Sequence, residues 1–134
     1  MAMTGVGRCL LDTHAFLSWL AGDRRLSKAA RTAIADEQNT VFVSAASAWE
    51  IATKFRLGKL PGAHVIVSDI AGAVASQAFS PLPITVTHAQ RAGGLRNEHR
   101  DPFDRMLIAQ SLAEGLVLVS NEKLFDGFGV TRLW

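Results

Sequence analysis

The chain carries one cysteine, four prolines and no tyrosine in 134 residues. A lone thiol cannot close an intrachain disulfide, which excludes a disulfide-stapled scaffold and makes a reducing cytoplasm the default compartment. Cys9 lies inside the apolar run RCLLD and reads as core filler rather than a reactive thiol. No apolar run approaches the roughly 18 residues of a membrane-spanning helix. The opening MAMTGVGRCLLD lacks the apolar stretch of a signal peptide, so no membrane association is expected, and its first residues, MAMTG, are small and read as flexible. There is no repeat, linker or low-complexity tract.

Several chemistries are also missing. No GxxxxGK[ST] or GxGxxG occurs, which argues against a P-loop or a dinucleotide fold. No GxSxG is present, and Ser44, Ser47 and Ser120 have no sequence-level base partner. The four histidines lack an HxxxH or CxxC companion, which argues against zinc.

What remains is 49% hydrophobic and 19% charged, the balance of a globular protein, and the length fits one domain spanning 1–134. The net charge of +2 permits nucleic-acid binding without demanding it. Its distribution is more telling: Lys54, Arg56 and Lys59 cluster, as do Arg91, Arg96, His99, Arg100 and Arg105.

Strands and helices alternate along the chain. Apolar runs predict strands at 8–11, 40–44 (TVFVS), within SPLPITV, at 116–120 (LVLVS) and in the closing GVTRLW. Pro81 and Pro83 point to an edge or entry position for the third. Helical spacing covers 14–20, Ser27 to about Glu37, a segment capped by Ser44 or Ser47 and ending near Leu57-Gly58, 64–79, 88–92 capped by Thr87, and PFDRMLIAQSLAEG after Asp101. This order implies an α/β fold with a central, mostly parallel sheet covered on both faces. In such sheets functional groups gather beyond the carboxyl ends of the strands.

Four acids sit at those ends: Asp12, Glu50, Asp104 and Glu122. Each has an ordinary alternative. Asp12 or Thr13 caps a helix, Glu50 can face solvent, acids at 101 and 104 suit a helix N-terminus, and a turn explains Glu122. Together, on four elements at one sheet edge, they suggest a Mg²⁺ or Mn²⁺ site acting on phosphates.

In order and at their spacing, LLDTHAFLSWL, SAASAWEIATKFRLGKL, HRDPFDRMLIAQSL and LVLVSNEKLFDGFGV resemble the PIN-domain ribonucleases, more narrowly the VapC-like toxins of toxin–antitoxin pairs. The resemblance runs end to end. It implies a three-layer α/β/α sandwich and a Mg²⁺- or Mn²⁺-dependent endoribonuclease, with Asp12, Glu50, Asp104 and Glu122 as catalytic and metal-binding acids. Glu122 stands where the family more often has Asp, so either its longer arm reaches the metal through water or the site rests on three acids. Ser120 matches a supporting hydroxyl, with Asn121 beside it, and Asp101 is an auxiliary acid. Arg100, Arg105 and Lys54 are the expected RNA-binding cations. The implied partners are RNA, a cognate antitoxin docked near the 14–20 and 49–55 helices, and a second copy in a homodimer, with Trp134 a candidate interface residue. A catalytically inactive PIN-fold module that binds RNA or protein is the alternative. A phosphotransfer domain fits less well, because position 14 is His where a dehalogenase-type phosphatase has Asp, and a receiver's acidic pair is missing.

Overall fold

The computed structural model describes residues 6–96 and 99–134; the opening MAMTG lies outside them. Strands β1 (Arg8–Leu11), β2 (Thr40–Ser44), β3 (Ser80–Leu82), β4 (Val117–Val119) and β5 (Arg132–Leu133) form one sheet in the order β3-β2-β1-β4-β5. All four neighbouring pairs are parallel, with Cys9 facing Val41 on one side and Val117 on the other. The chain starts in the middle, steps outward to β2 and β3, then crosses back to β4 and β5. The order therefore reverses between β1 and β4, and the strand C-termini open a crevice there.

Alternation along the strands decides which layer each side chain joins. Cys9, Leu11, Val41, Val43 and Val119 point to one face, against Phe16 of α1 (Thr13–Ala21), Ile34 of α2 (Lys28–Ala35), Ile51 of α3 (Ala45–Arg56) and Val74 of α5 (Ile70–Ser76). Leu10 and Leu118 point to the other, against Leu107 and Ile108 of α7 (Pro102–Glu114) and against Phe125. The result is the expected three-layer sandwich. Phe16, Leu10 and Leu118 are wholly buried, each side chain contributing about 1.5–3 kcal/mol of hydrophobic stabilisation. Burial pushes the Cys9 thiol up to about 11, as suits an inert core residue.

Several expectations are corrected. The helix foreseen over 64–79 is two, α4 (His64–Ser68) and α5. Asp69 leaves helical geometry at φ −158° and its carboxylate accepts from Gly72 N at 2.9 Å, capping the second piece. Helix α6 (Val86–Gly94) starts two residues before the expected 88, because Thr85 rather than Thr87 is its cap. His88 completes a capping box by accepting from Thr85 N through Nδ1, while its Nε2 lies 2.9 Å from Glu114. A 3₁₀ helix over Lys123–Phe128, unforeseen in the sequence, follows β4. Trp134 is half-buried, packed against the core. Among the described residues, no helix is long and apolar enough to cross a membrane.

Candidate active site

Asp12 is the first residue past β1. Its N–H donates to Val119 O at 3.0 Å, which fixes its backbone between β1 and β4. Its carboxylate accepts from Ala15 N at 2.7 Å and so caps α1, and it is hydrogen-bonded to the Ser120 hydroxyl. The helix cap expected at Asp12 or Thr13 is therefore Asp12. Asp12 is 5% exposed. Burial raises its pKa above the usual carboxylate range; the bonds to Ser120 and Ala15 and the nearby His14 oppose this, and Glu50 adds repulsion.

Helix α3 begins at Ser44, whose hydroxyl accepts from Ala46 N at 2.9 Å and donates to Gln110 Oε1 at 2.6 Å. That bond ties the start of α3 to α7. Two turns along, Glu50 turns inward and is 5% exposed, so the solvent-facing alternative is excluded. Thr13 Oγ1 donates to Glu50 Oε1 at 2.6 Å and lies 3.0 Å from Ser47 Oγ. Lys54, one turn on, pairs with Glu50 Oε2.

Asp101 caps α7, accepting from Phe103 N and Asp104 N at 2.9 and 3.1 Å. Asp104 stands in the first turn, with Oδ2 2.9 Å from His99 Nε2. Burial raises its pKa; the hydrogen bond and charge of His99 oppose this, while Asp101 and Glu50 repel it. Asp12, Glu50 and Asp104 thus form a chain of mutual repulsion, Glu50 acting on both aspartates.

Glu122 does not share in it. Its side chain is exposed, caps the 3₁₀ helix through Leu124 N at 3.4 Å, and acts electrostatically on Arg132. Ser120 is wholly buried and also accepts from Glu122 N at 2.9 Å, whereas Asn121 is exposed. Among the expected cations, Arg100 is exposed. Arg105 is spent on the backbone, donating to the carbonyls of Ala92, Leu95 and His99 at 2.7–3.0 Å. Sequence reasoning missed Thr13 as a holder of Glu50, His99 as the partner of Asp104, and Gln110 as the anchor of Ser44. The only sequence signal was position: Thr13 adjoins Asp12, and His99 precedes the acidic pair.

The donor set is all oxygen, negative and largely shielded from water, which fits a hard divalent cation. Among the described residues no three acids stand close enough to ligate one ion together.

The PIN domain family model matches residues 9–129. Ribonuclease VapC16 of Mycobacterium tuberculosis is 39% identical over 66 residues, which cover 48% of this chain and 47% of that protein, so the match spans about half of either. VapBC2 from Rickettsia felis, solved bound to a DNA fragment from its promoter, superposes with a TM-score of 0.69 at 14% identity over 94% of this chain and 97% of that one. VapC20 of M. tuberculosis, a sarcin–ricin loop cleaving toxin, gives a TM-score of 0.67 at 19% identity over 93% of this chain and 98% of that one. At such identities the structures speak to the fold, and the match over 9–129 to the lineage: the chain belongs to the PIN-domain family.

Proposed function

We propose that this single PIN domain is a metal-dependent endoribonuclease and the toxin of a toxin–antitoxin pair. The observation that carries the reading is that Asp12, Glu50 and Asp104, from three different elements at the carboxyl edge of a parallel sheet, lie near enough for Glu50 to repel both aspartates. The ribonuclease name of the 39%-identical relative supports the choice of substrate.

Bound Mg²⁺ or Mn²⁺ would supply charge stabilisation at the scissile phosphate and a water made acidic enough to attack it. The chain's own residues do the rest. Asp12, braced by Ser120, and Glu50, braced by Thr13, present carboxylate oxygens from adjoining elements. Asp104 holds the third corner with His99 behind it. Burial raises both aspartates, which suits either to accept the proton of the attacking water as the phosphodiester opens. Arg100, exposed and next in sequence to His99, would contact a flanking phosphate.

The toxin reading brings a cytoplasmic setting, a cognate antitoxin over the faces of α1 and α3, where Trp49 is 59% exposed, and a second copy of this chain. The outward placement of Glu122 favours one second reading, a PIN module that binds RNA or protein without cutting. Incubating purified protein with a mixed RNA pool in Mg²⁺, Mn²⁺ or EDTA, beside Asp12→Asn, separates the two. Metal-dependent cutting that the variant lacks supports the nuclease; no cutting by folded, antitoxin-free protein in either metal favours the binding module.

A further inference from the structure

We propose that Lys54 is the built-in counter-cation of Glu50, displaced when a divalent ion enters, and that it thereby sets the site's metal affinity. The inference rests on the metal-dependent reading above and concerns how that site is loaded.

Both oxygens of the Glu50 carboxylate are engaged. Thr13 holds Oε1 through a hydroxyl, which a metal ligand can retain, while Lys54 holds Oε2 through an ammonium. The side chain of Glu50 is 6% exposed and that of Lys54 33%, so the pair spans the boundary between the buried acid and water. The ammonium is also attracted by Asp101 and Asp104. Lys54 therefore brings a positive charge directly to Glu50, at the place where a metal would balance the same acids. An ammonium is a compact charge on a flexible stem, and this one has an open path to solvent, so leaving Glu50 requires only side-chain rotation.

Two cations cannot share one carboxylate oxygen without strong repulsion. Binding a divalent ion at Glu50 Oε2 must break the contact with Lys54, and the work of breaking it is subtracted from the affinity. A neutral residue at 54 would leave Glu50 unbalanced until metal arrives.

The test is Mn²⁺ binding to the full chain, followed by the electron paramagnetic resonance signal of free Mn²⁺, for the wild type, Lys54→Met, Lys54→Gln and Lys54→Arg. Thermal melts confirm folding, and Lys54→Gln stands in if the apolar variant does not fold. The neutral variants should bind on the order of tenfold more tightly, a factor well within what removing a partly screened unit charge supplies. Lys54→Arg should stay near the wild type. Tightening separates this role from a structural one, since a loosened helix would weaken binding. Unchanged or weaker binding by folded neutral variants overturns the inference alone, as does equal tightening by Lys54→Arg. Absence of Mn²⁺ binding in every protein, wild type included, overturns the metal-dependent reading and the inference with it.

Discussion

Thr13 Oγ1 lies 2.6 Å from Glu50 Oε1 across 37 positions of sequence, joining the residue after Asp12 to the middle of α3. The bond fixes the spacing of two acids that belong to different elements. Thr13→Val keeps the shape and removes the donor, leaving a buried carboxylate oxygen one partner short. We expect about 1–3 kcal/mol of lost stability and RNA cleavage lowered by about tenfold, the rate equivalent of about 1.4 kcal/mol at the barrier. Thr13→Ser should recover most of both. Urea unfolding alongside single-turnover cleavage checks this, and a fully active valine variant would show that Glu50 needs no such brace.

The crowded acids make the metal-free protein respond to pH in an unusual direction. Asp12 and Asp104 have folded-state pKa values raised above 3.8, chiefly by burial. Between that value and the raised ones, the folded chain holds protons that the unfolded chain has released. Stability therefore falls as pH climbs through this window and stays lowered at neutral pH. Asp23 and Asp126, lowered by Arg25 and Arg132, act in the opposite sense, but they are exposed pairs of small weight. In EDTA at neutral pH the double variant Asp12→Asn, Asp104→Asn should melt at a higher temperature than the wild type, and added Mn²⁺ should raise the wild type alone. A wild type that melts higher than the variant in EDTA contradicts the account.

Legibility in the sequence followed how local each cause is. The core of β1 and its terminal Asp12 were readable, because a buried parallel strand is an unbroken apolar run and its end is marked by the first acid. The Pro-first start and Gly stop of α7 were equally local, and Gly115 does adopt the left-handed φ of 65° that a helix stop favours. The break at Asp69 was not readable, since the apolar spacing continues across it and a side-chain cap decides the matter. The placement of Glu122 was not readable for a related reason. Nothing local distinguishes a carboxylate turned into the crevice from one folded back onto its own 3₁₀ helix. The roles of Thr13 and Gln110 depend on partners 37 and 66 residues away, which no window of sequence contains.

Arg100 and Arg105 looked alike in the sequence and should separate under mutation. Arg105 donates to backbone carbonyls around the α6–α7 connection, those of Ala92, Leu95 and His99 among them, so Arg105→Gln should destabilise the fold and leave the salt dependence of RNA binding unchanged. Arg100 is exposed. Arg100→Gln should leave the melting temperature unchanged and reduce the slope of log affinity against log salt by about 1. Filter binding of RNA to the Asp12→Asn background over a salt series reads both; a reduced slope for Arg105→Gln would assign it to RNA after all.

Ser44 connects the site to the opposite layer. Its hydroxyl accepts from Ala46 N to start α3 and donates to Gln110 Oε1 on α7, both ends of the bond being buried. Because Glu50 is placed by where α3 begins, the bond is a constraint on the acid as well as on the fold. Ser44→Ala removes the cap and the bond together, whereas Gln110→Leu keeps the cap, leaves the serine proton without its buried acceptor and also removes the amide's longer contacts to Pro83 O and His88 Nδ1. Each change should cost about 1–3 kcal/mol. Because they delete one shared contact, the double variant should cost less than the sum by about 0.5–3 kcal/mol. Cleavage should fall further in Ser44→Ala than in Gln110→Leu, because only the former frees the first turn of α3. Additive losses in a double-mutant cycle would mean that the two side chains do not communicate, and that α3 is positioned by its apolar contacts alone.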